Sequence, residues 1–190
     1  MIVNMIIQAR MGSTRCPGKV MRDIGGKPMI GHLLDEMEMC IGVDRVIVAI
    51  PEEDIGSVLC DYLKSRPIEF CAPRGVATND VAGRFAAALQ VWPCDAFVRV
   101  CADSPMLNNE MVDWAVSFFT DWNGGDYLLM QDDCGSVEVC QTEAFLSDLP
   151  RSDEDREHVT TILRRGRCIV DTEEDFERVA KMVMKRCAPE

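Results

Sequence analysis

The stretch "IIQARMGSTRCPGKVM", from Ile6 to Met21, decides the reading of the fold. Its first residues close an apolar opening, "MIVNMIIQA", which is short and rich in β-branched residues and reads as a buried strand. The remainder is a glycine-bearing loop that carries Arg10, Arg15 and Lys19. From Arg10 to Lys27 stand five bases (Arg10, Arg15, Lys19, Arg22, Lys27) and one acid, Asp23, in a chain whose formal net charge is -12. One short window thus holds a quarter of the 20 lysines and arginines. Taken alone, such a cluster reads as a solvated basic loop. Its surroundings decide whether it is more.

Working outward, strand-like and helix-like segments alternate. "KPMIGHLLDEMEMCIG" has helical apolar spacing, with Pro28 near its start and Gly42 closing it. "DRVIVAIP" reads as a second buried strand and "EEDIGSVLCDYLKSR" as a helix. "PIEFCAP" reads as a third strand, and "NDVAGRFAAALQVW" as a helix capped by Asn79 or Asp80. "DAFVRVCADSP" is a fourth strand and "NNEMVDWAVSFFTDW" a fourth helix, with Trp114, Phe118 and Phe119 expected in the core. "DYLLMQ" and "SVEVCQ" are shorter strands, and "TEAFLSDL" is helical. A further helix is expected over 153–165, then the strand "RCIVDT" and the helix "EEDFERVAKMVMKRC". This alternation predicts an α/β fold, a doubly wound, mostly parallel sheet with helices on both faces. No internal repeat or linker divides the chain.

In such a sheet, ligands bind outside the carboxyl ends of the strands. The cationic loop leaves the end of the first strand and passes glycines at 12, 18, 25 and 26. Glycine lets backbone N–H groups approach a phosphate, and Arg and Lys neutralise its charge. The loop has neither P-loop nor dinucleotide-fold glycine spacing. On physics alone it reads as a phosphate cradle.

Composition narrows the partners. With 32 acids against 20 bases, no basic face is available for a nucleic-acid polymer. A hydrophobic share of 47% supplies a core, but no apolar run is long enough for a transmembrane helix. "MIVNMIIQAR" lacks the basic start and cleavage site of a signal peptide, so the expected compartment is the cytoplasm, with no membrane partner. The 10 cysteines, about 5% of the chain, fall below the roughly 8–10% of a disulfide scaffold. They form no C-x-x-C pair, and only two histidines accompany them, so they read as small core residues in a reducing compartment rather than a zinc site.

At this point the residues suggest a family. "IIQARMGSTRCPGKVM…IGGKPMIGHLL" resembles the N-terminal signature of the cytidylyltransferases that activate acidic sugars. The likeness is chiefly to the spore-coat polysaccharide biosynthesis type, and more distantly to the enzymes for 3-deoxy-manno-octulosonate and acylneuraminates. "PRGVATNDVAGRF", "VRVCADSPML", "DREHVT" and "IVDTEEDFERV" follow in the family's order, so the resemblance spans nearly the whole chain. It implies that residues 1–190 form one nucleotidyltransferase domain with the nucleotide-diphospho-sugar transferase-like fold. It also implies CMP transfer from CTP to a small anionic acceptor, release of pyrophosphate, magnesium as cofactor and, as relatives commonly dimerise, a homodimer.

The resemblance implies roles residue by residue. Arg10 and Lys19 are the catalytic cations; the charge that develops in the reaction places Lys19 on the α-phosphate. Gln8, Ala9, Arg10, Met11, Gly12, Arg15, Lys19, Arg74, Asp80 and Arg84 bind the nucleotide, and Asp103 and Asp171 hold magnesium. Glu138, Arg156 and His158 face the acceptor. From the residues alone, Asp103 also reads as a turn residue before Ser104-Pro105, and Asp171 as a helix cap. Cys16 stands where the family usually has leucine. Ser136, in "CGSVEV", stands where an aspartate is common, and the stretch from Thr160 to Asp171 is contracted. The latter two departures fall on the acceptor side and suit a smaller or more anionic acceptor: an acidic sugar, or a short carboxylate or phosphonate. Two other readings stay open, a CTP-binding protein without turnover and an enzyme using another nucleoside triphosphate.

Overall fold

In the computed structural model, the described residues are 1–13, 15–121, 125–147, 149, 156 and 159. The apolar opening becomes β1 (Val3–Gln8), the second expected strand becomes β4 (Arg45–Ala49), and both run buried at their core-facing positions. Between them lie a short ribbon, β2 (Asp23–Ile24) with β3 (Lys27–Pro28), and the helix α1 (Met29–Met37). Then come α2 (Val58–Lys64), β5 (Glu69–Cys71), α3 (Val81–Val91), β6 (Ala96–Cys101) and α4 (Asn109–Asp121). The hairpin β7 (Tyr127–Asp132) and β8 (Gly135–Gln141) leads to α5 (Thr142–Ser147).

Six strands form one sheet in the order β5-β4-β1-β6-β8-β7. β1 pairs in parallel with β4 and β6, and β4 with β5, while β8 runs antiparallel to both β6 and β7. The sheet is therefore mostly parallel. Side chains alternate across it: Met5 and Ile7 pack into the layer of α1, α2 and α4, whereas Ile6 packs into the layer of α3 and α5. Burial on both faces explains why β1 reads as a continuous apolar run rather than an alternating one.

Several details differ from the sequence expectation. The segment expected as one helix over 52–66 splits into a 3-10 turn, Glu52–Asp54, and α2. Gly56 breaks it with φ 82°, and the Ser57 hydroxyl caps α2 by accepting from Cys60 N–H. The β2–β3 ribbon and a 3-10 turn over Lys19–Met21 were not expected. Phe119 is buried, but Trp114 is 57% exposed, against the expectation that both lie in the core. Of the elements expected at 153–165 and beyond, only Arg156 and Val159 are among the described residues.

All eight described cysteines are free. Only Cys60 and Cys140 are fully buried, and Cys134 is exposed, so the core reading holds for fewer of them than expected. Burial pushes the thiol of Cys40 up to about 12 and that of Cys71 up to about 11, so neither is a nucleophile near neutral pH. Among the described residues, no helix is long and apolar enough to cross a membrane.

Candidate active site

The parallel strands end together: β1 at Gln8, β4 at Ala49 and β6 at Cys101. Residues 9–13 and 15–18 fold over these ends and wall a cleft of about 390 Å³. Its path is fixed by backbone bonds. Ala9 N–H continues the ladder to Ala49 O, and Ser13 and Gly18 N–H both donate to Met11 O. Met11 N–H donates to Asp54 Oδ2 at 2.8 Å. Asp54 is buried, and that burial raises its pKa, although the Met11 bond, Arg84 and Arg10 oppose the shift. Gly18 takes φ 65°, which only glycine adopts without strain, and this turn delivers Lys19 to the cleft.

Among the described residues, five cationic side chains line the cleft (Arg10, Arg15, Lys19, Arg84 and Arg99) against one carboxylate, Asp103. A chain with net charge -12 therefore keeps a strongly positive hollow at the carboxyl edge of its sheet. Arg10 Nη1 donates to Asn79 Oδ1 at 2.9 Å, tying the loop to the approach of α3. Lys19 Nζ pairs with the Asp103 carboxylate across the mouth. Arg84 is only 1% exposed. Its Nη1 donates to Thr78 O at 2.6 Å, while its buried Nε meets no acceptor among the described residues. Burial, then the neighbouring Arg10, holds its guanidinium below the ordinary value; Asp80 works against them. A buried, incompletely compensated cation beside a cavity is a strong anion-seeking group.

On the cleft floor three strands are joined by one polar row. Arg99 on β6 donates from Nε to Gln8 on β1 at 3.1 Å and from Nη1 to Glu138 on β8 at 2.6 Å. Strand register puts this row together, because Arg99 and Glu138 are directly paired positions. The Cys101 thiol, beside Arg99 in the cleft, is pushed up by burial and stays neutral.

Of the residues that the sequence pointed to, the cleft gathers Gln8, Ala9, Arg10, Arg15, Lys19, Arg84 and Asp103. Asp103 sits two residues past β6, on the turn. Others are placed elsewhere. Met11 packs its side chain on the core, and Gly12 and Arg74 are exposed outside the lining. Asp80 caps α3, its Oδ1 accepting from Gly83 N–H at 2.7 Å. Glu138, expected to orient an acceptor hydroxyl, is buried against Arg99 instead. Arg156, expected at the acceptor, grips Asp80 with both Nε and Nη2. Asp171 and His158 lie outside the described residues. The sequence reading missed Arg99, Asp54 and Ser13. An arginine inside the apolar strand "AFVRVC" was the one available signal, since a core strand does not carry a lone charge.

Comparison with known proteins places the chain in a family. The family described as Cytidylyltransferase matches residues 4–165. The chain belongs to the cytidylyltransferase family. Similar members include the 3-deoxy-manno-octulosonate cytidylyltransferase of Chlorobium chlorochromatii (strain CaD3), 32% identical over 122 residues, which cover 64% of this chain and 47% of that protein. This cytidylyltransferase chain thus spans about half the length of that relative. The spore coat polysaccharide biosynthesis protein SpsF of Bacillus subtilis (strain 168) is 26% identical, covering 95% of this chain and 85% of that one. A solved cytidylyltransferase from Leptospira borgpetersenii serovar Hardjo-bovis (strain JB197) superposes with a TM-score of 0.78 at 25% identity, over 87% of this chain and 72% of that chain.

Proposed function

We propose that this cytidylyltransferase-family chain transfers CMP from CTP to an acidic sugar or a smaller acid of similar charge, releasing pyrophosphate. The observation that carries the reading is the cationic cleft at the carboxyl ends of β1 and β6, walled by a loop within the segment that matches the family. An acceptor oxygen attacks the α-phosphorus. A new O–P bond forms, the bond from that phosphorus to the α,β-bridging oxygen breaks, and pyrophosphate leaves with the electron pair. Charge builds on the α-phosphate and the leaving group, so the protein's work is positioning and neutralisation. Lys19 meets the α-phosphate, while Arg10, Arg15 and Arg84 neutralise the rest of the triphosphate. Arginine gives a two-pronged grip on phosphate oxygens, and lysine a point charge.

Asp103 suits a divalent cation. It is the one carboxylate lining the cleft among the described residues, its side chain is half exposed, and hard magnesium takes oxygen ligands from few carboxylates plus phosphate and water. Asp103 would hold it together with Asp171, and the metal would supply further charge neutralisation when bound. The test is pyrophosphate release from each nucleoside triphosphate with magnesium, across 3-deoxy-manno-octulosonate, an acylneuraminate and short phosphonates. Release with CTP and one acidic acceptor is expected. CTP binding without release from any acceptor would turn the reading into a binding protein. Equal release from UTP or GTP would remove the cytosine assignment.

A further inference from the structure

We propose that Arg156 is a positioning residue of the nucleotide cleft, acting through Asp80 on Arg84, and is not a ligand of the acceptor. This rests on the reading of the cleft as a CTP site. The geometry is a two-pronged ion pair: Arg156 Nε donates to Asp80 Oδ1 at 2.9 Å and Nη2 to Oδ2 at 2.6 Å. Both carboxylate oxygens are engaged by a planar fork, the arrangement that fixes orientation as well as charge. The same Oδ1 caps α3 through Gly83 N–H. The next residue is Arg84, whose Nη1 reaches back to Thr78 O. Residues 78–84 are thereby folded about Asp80, and Arg84 is delivered buried to the cleft.

Two arginines compete for this one carboxylate. Of the carboxylates around Arg84, Asp80 is the one whose charge most favours the guanidinium. Were Asp80 to turn onto Arg84 it would cancel the positive charge that the triphosphate needs. Arg156, 76 positions away in sequence, takes both oxygens and leaves the charge of Arg84 directed at the cleft. It does so while keeping the helix cap in place. The clasp also ties the start of α3 to a residue far along the chain, a link that an acceptor ligand would not need.

The experiment is calorimetric titration of CTP with magnesium and no acceptor, beside thermal midpoints. The proteins are the wild type, Arg156→Ala, Arg156→Lys, Asp80→Asn and the double variant Arg156→Ala/Asp80→Asn. Arg156→Ala is expected to weaken CTP about tenfold. Arg156→Lys should recover only part, because lysine keeps the charge and loses the fork. The double variant should bind CTP no worse than the weaker single, because the two residues act through one contact. Unchanged CTP affinity in Arg156→Ala with a raised KM for 3-deoxy-manno-octulosonate would overturn the proposal in favour of an acceptor ligand. A lowered midpoint with unchanged CTP affinity would overturn it in favour of a purely structural clasp. Should Arg156→Ala fail to fold, Arg156→Lys carries the same test: a partial loss of CTP affinity is expected, and wild-type CTP affinity in it would overturn the proposal. Failure of the wild type to bind CTP at all would instead sink the reading of the cleft, before any variant is compared.

Discussion

At the scale of single residues, two cations in the cleft are held in opposite ways. Arg84 is buried with its charge opposed by burial and by Arg10. Such a group is retained against stability, so Arg84→Met, similar in length and apolar, is expected to raise the thermal midpoint while weakening CTP at least tenfold. A fall in both would show that Arg84 holds the fold together. Lys19 is partly exposed and spends its charge on Asp103. That pair must part before Lys19 can meet a phosphate. An exposed pair is worth about 0.2–1 kcal/mol, so freeing the lysine is a small effect. Asp103→Asn is therefore expected to tighten metal-free CTP about two- to fivefold while turnover collapses. Titration in a chelator checks this, and weaker binding would place Asp103 among the groups that support the nucleotide.

At the scale of elements, the row Gln8–Arg99–Glu138 holds three strands where the sheet changes from parallel to antiparallel. Removing one partner strands a buried charge, which costs about 3–5 kcal/mol, whereas replacing both with apolar residues is close to neutral. Glu138→Leu should thus lose about that much in denaturant unfolding, and Arg99→Met/Glu138→Leu should regain most of it. Equal loss in the single and the double would show that the pair contributes no specific coupling. This row also marks what the sequence could and could not tell. β1, β4 and β6 were legible because their apolar runs match strands buried on both faces. The partner of Arg99 was not, because Glu138 lies 39 positions away and register alone brings it opposite. The same holds for Arg156 and Asp80: a motif match carries a residue to a segment, but not to the side chain it will grip. The 3-10 turn before α2 was missed because its apolar spacing continues through Gly56, where the backbone does not.

At the scale of the whole molecule, the question is how a chain of charge -12 welcomes a polyanion. The loop from Arg10 to Lys19 was legible as the answer, because it concentrates bases so strongly in one short window. What the sequence hid is that Arg99, from β6, joins Arg84 of α3 in completing the hollow. The two scales of charge have opposite consequences. The acids outside repel one another, and a net charge far from zero destabilises the compact state. Salt screens that repulsion, with a Debye length near 10 Å at 0.1 M. It also screens the attraction between the cationic cleft and a triphosphate, less completely because Arg84 and Arg99 are buried. Raising sodium chloride from about 50 mM to about 500 mM, a range that shortens the screening length severalfold, is therefore expected to raise the thermal midpoint while weakening CTP binding. Calorimetry and thermal unfolding on one preparation measure both. If midpoint and affinity fall together, self-repulsion is not what limits this fold, and the acids are arranged in compensating pairs. If both rise, the outer acids, rather than the hollow, govern the approach of the nucleotide.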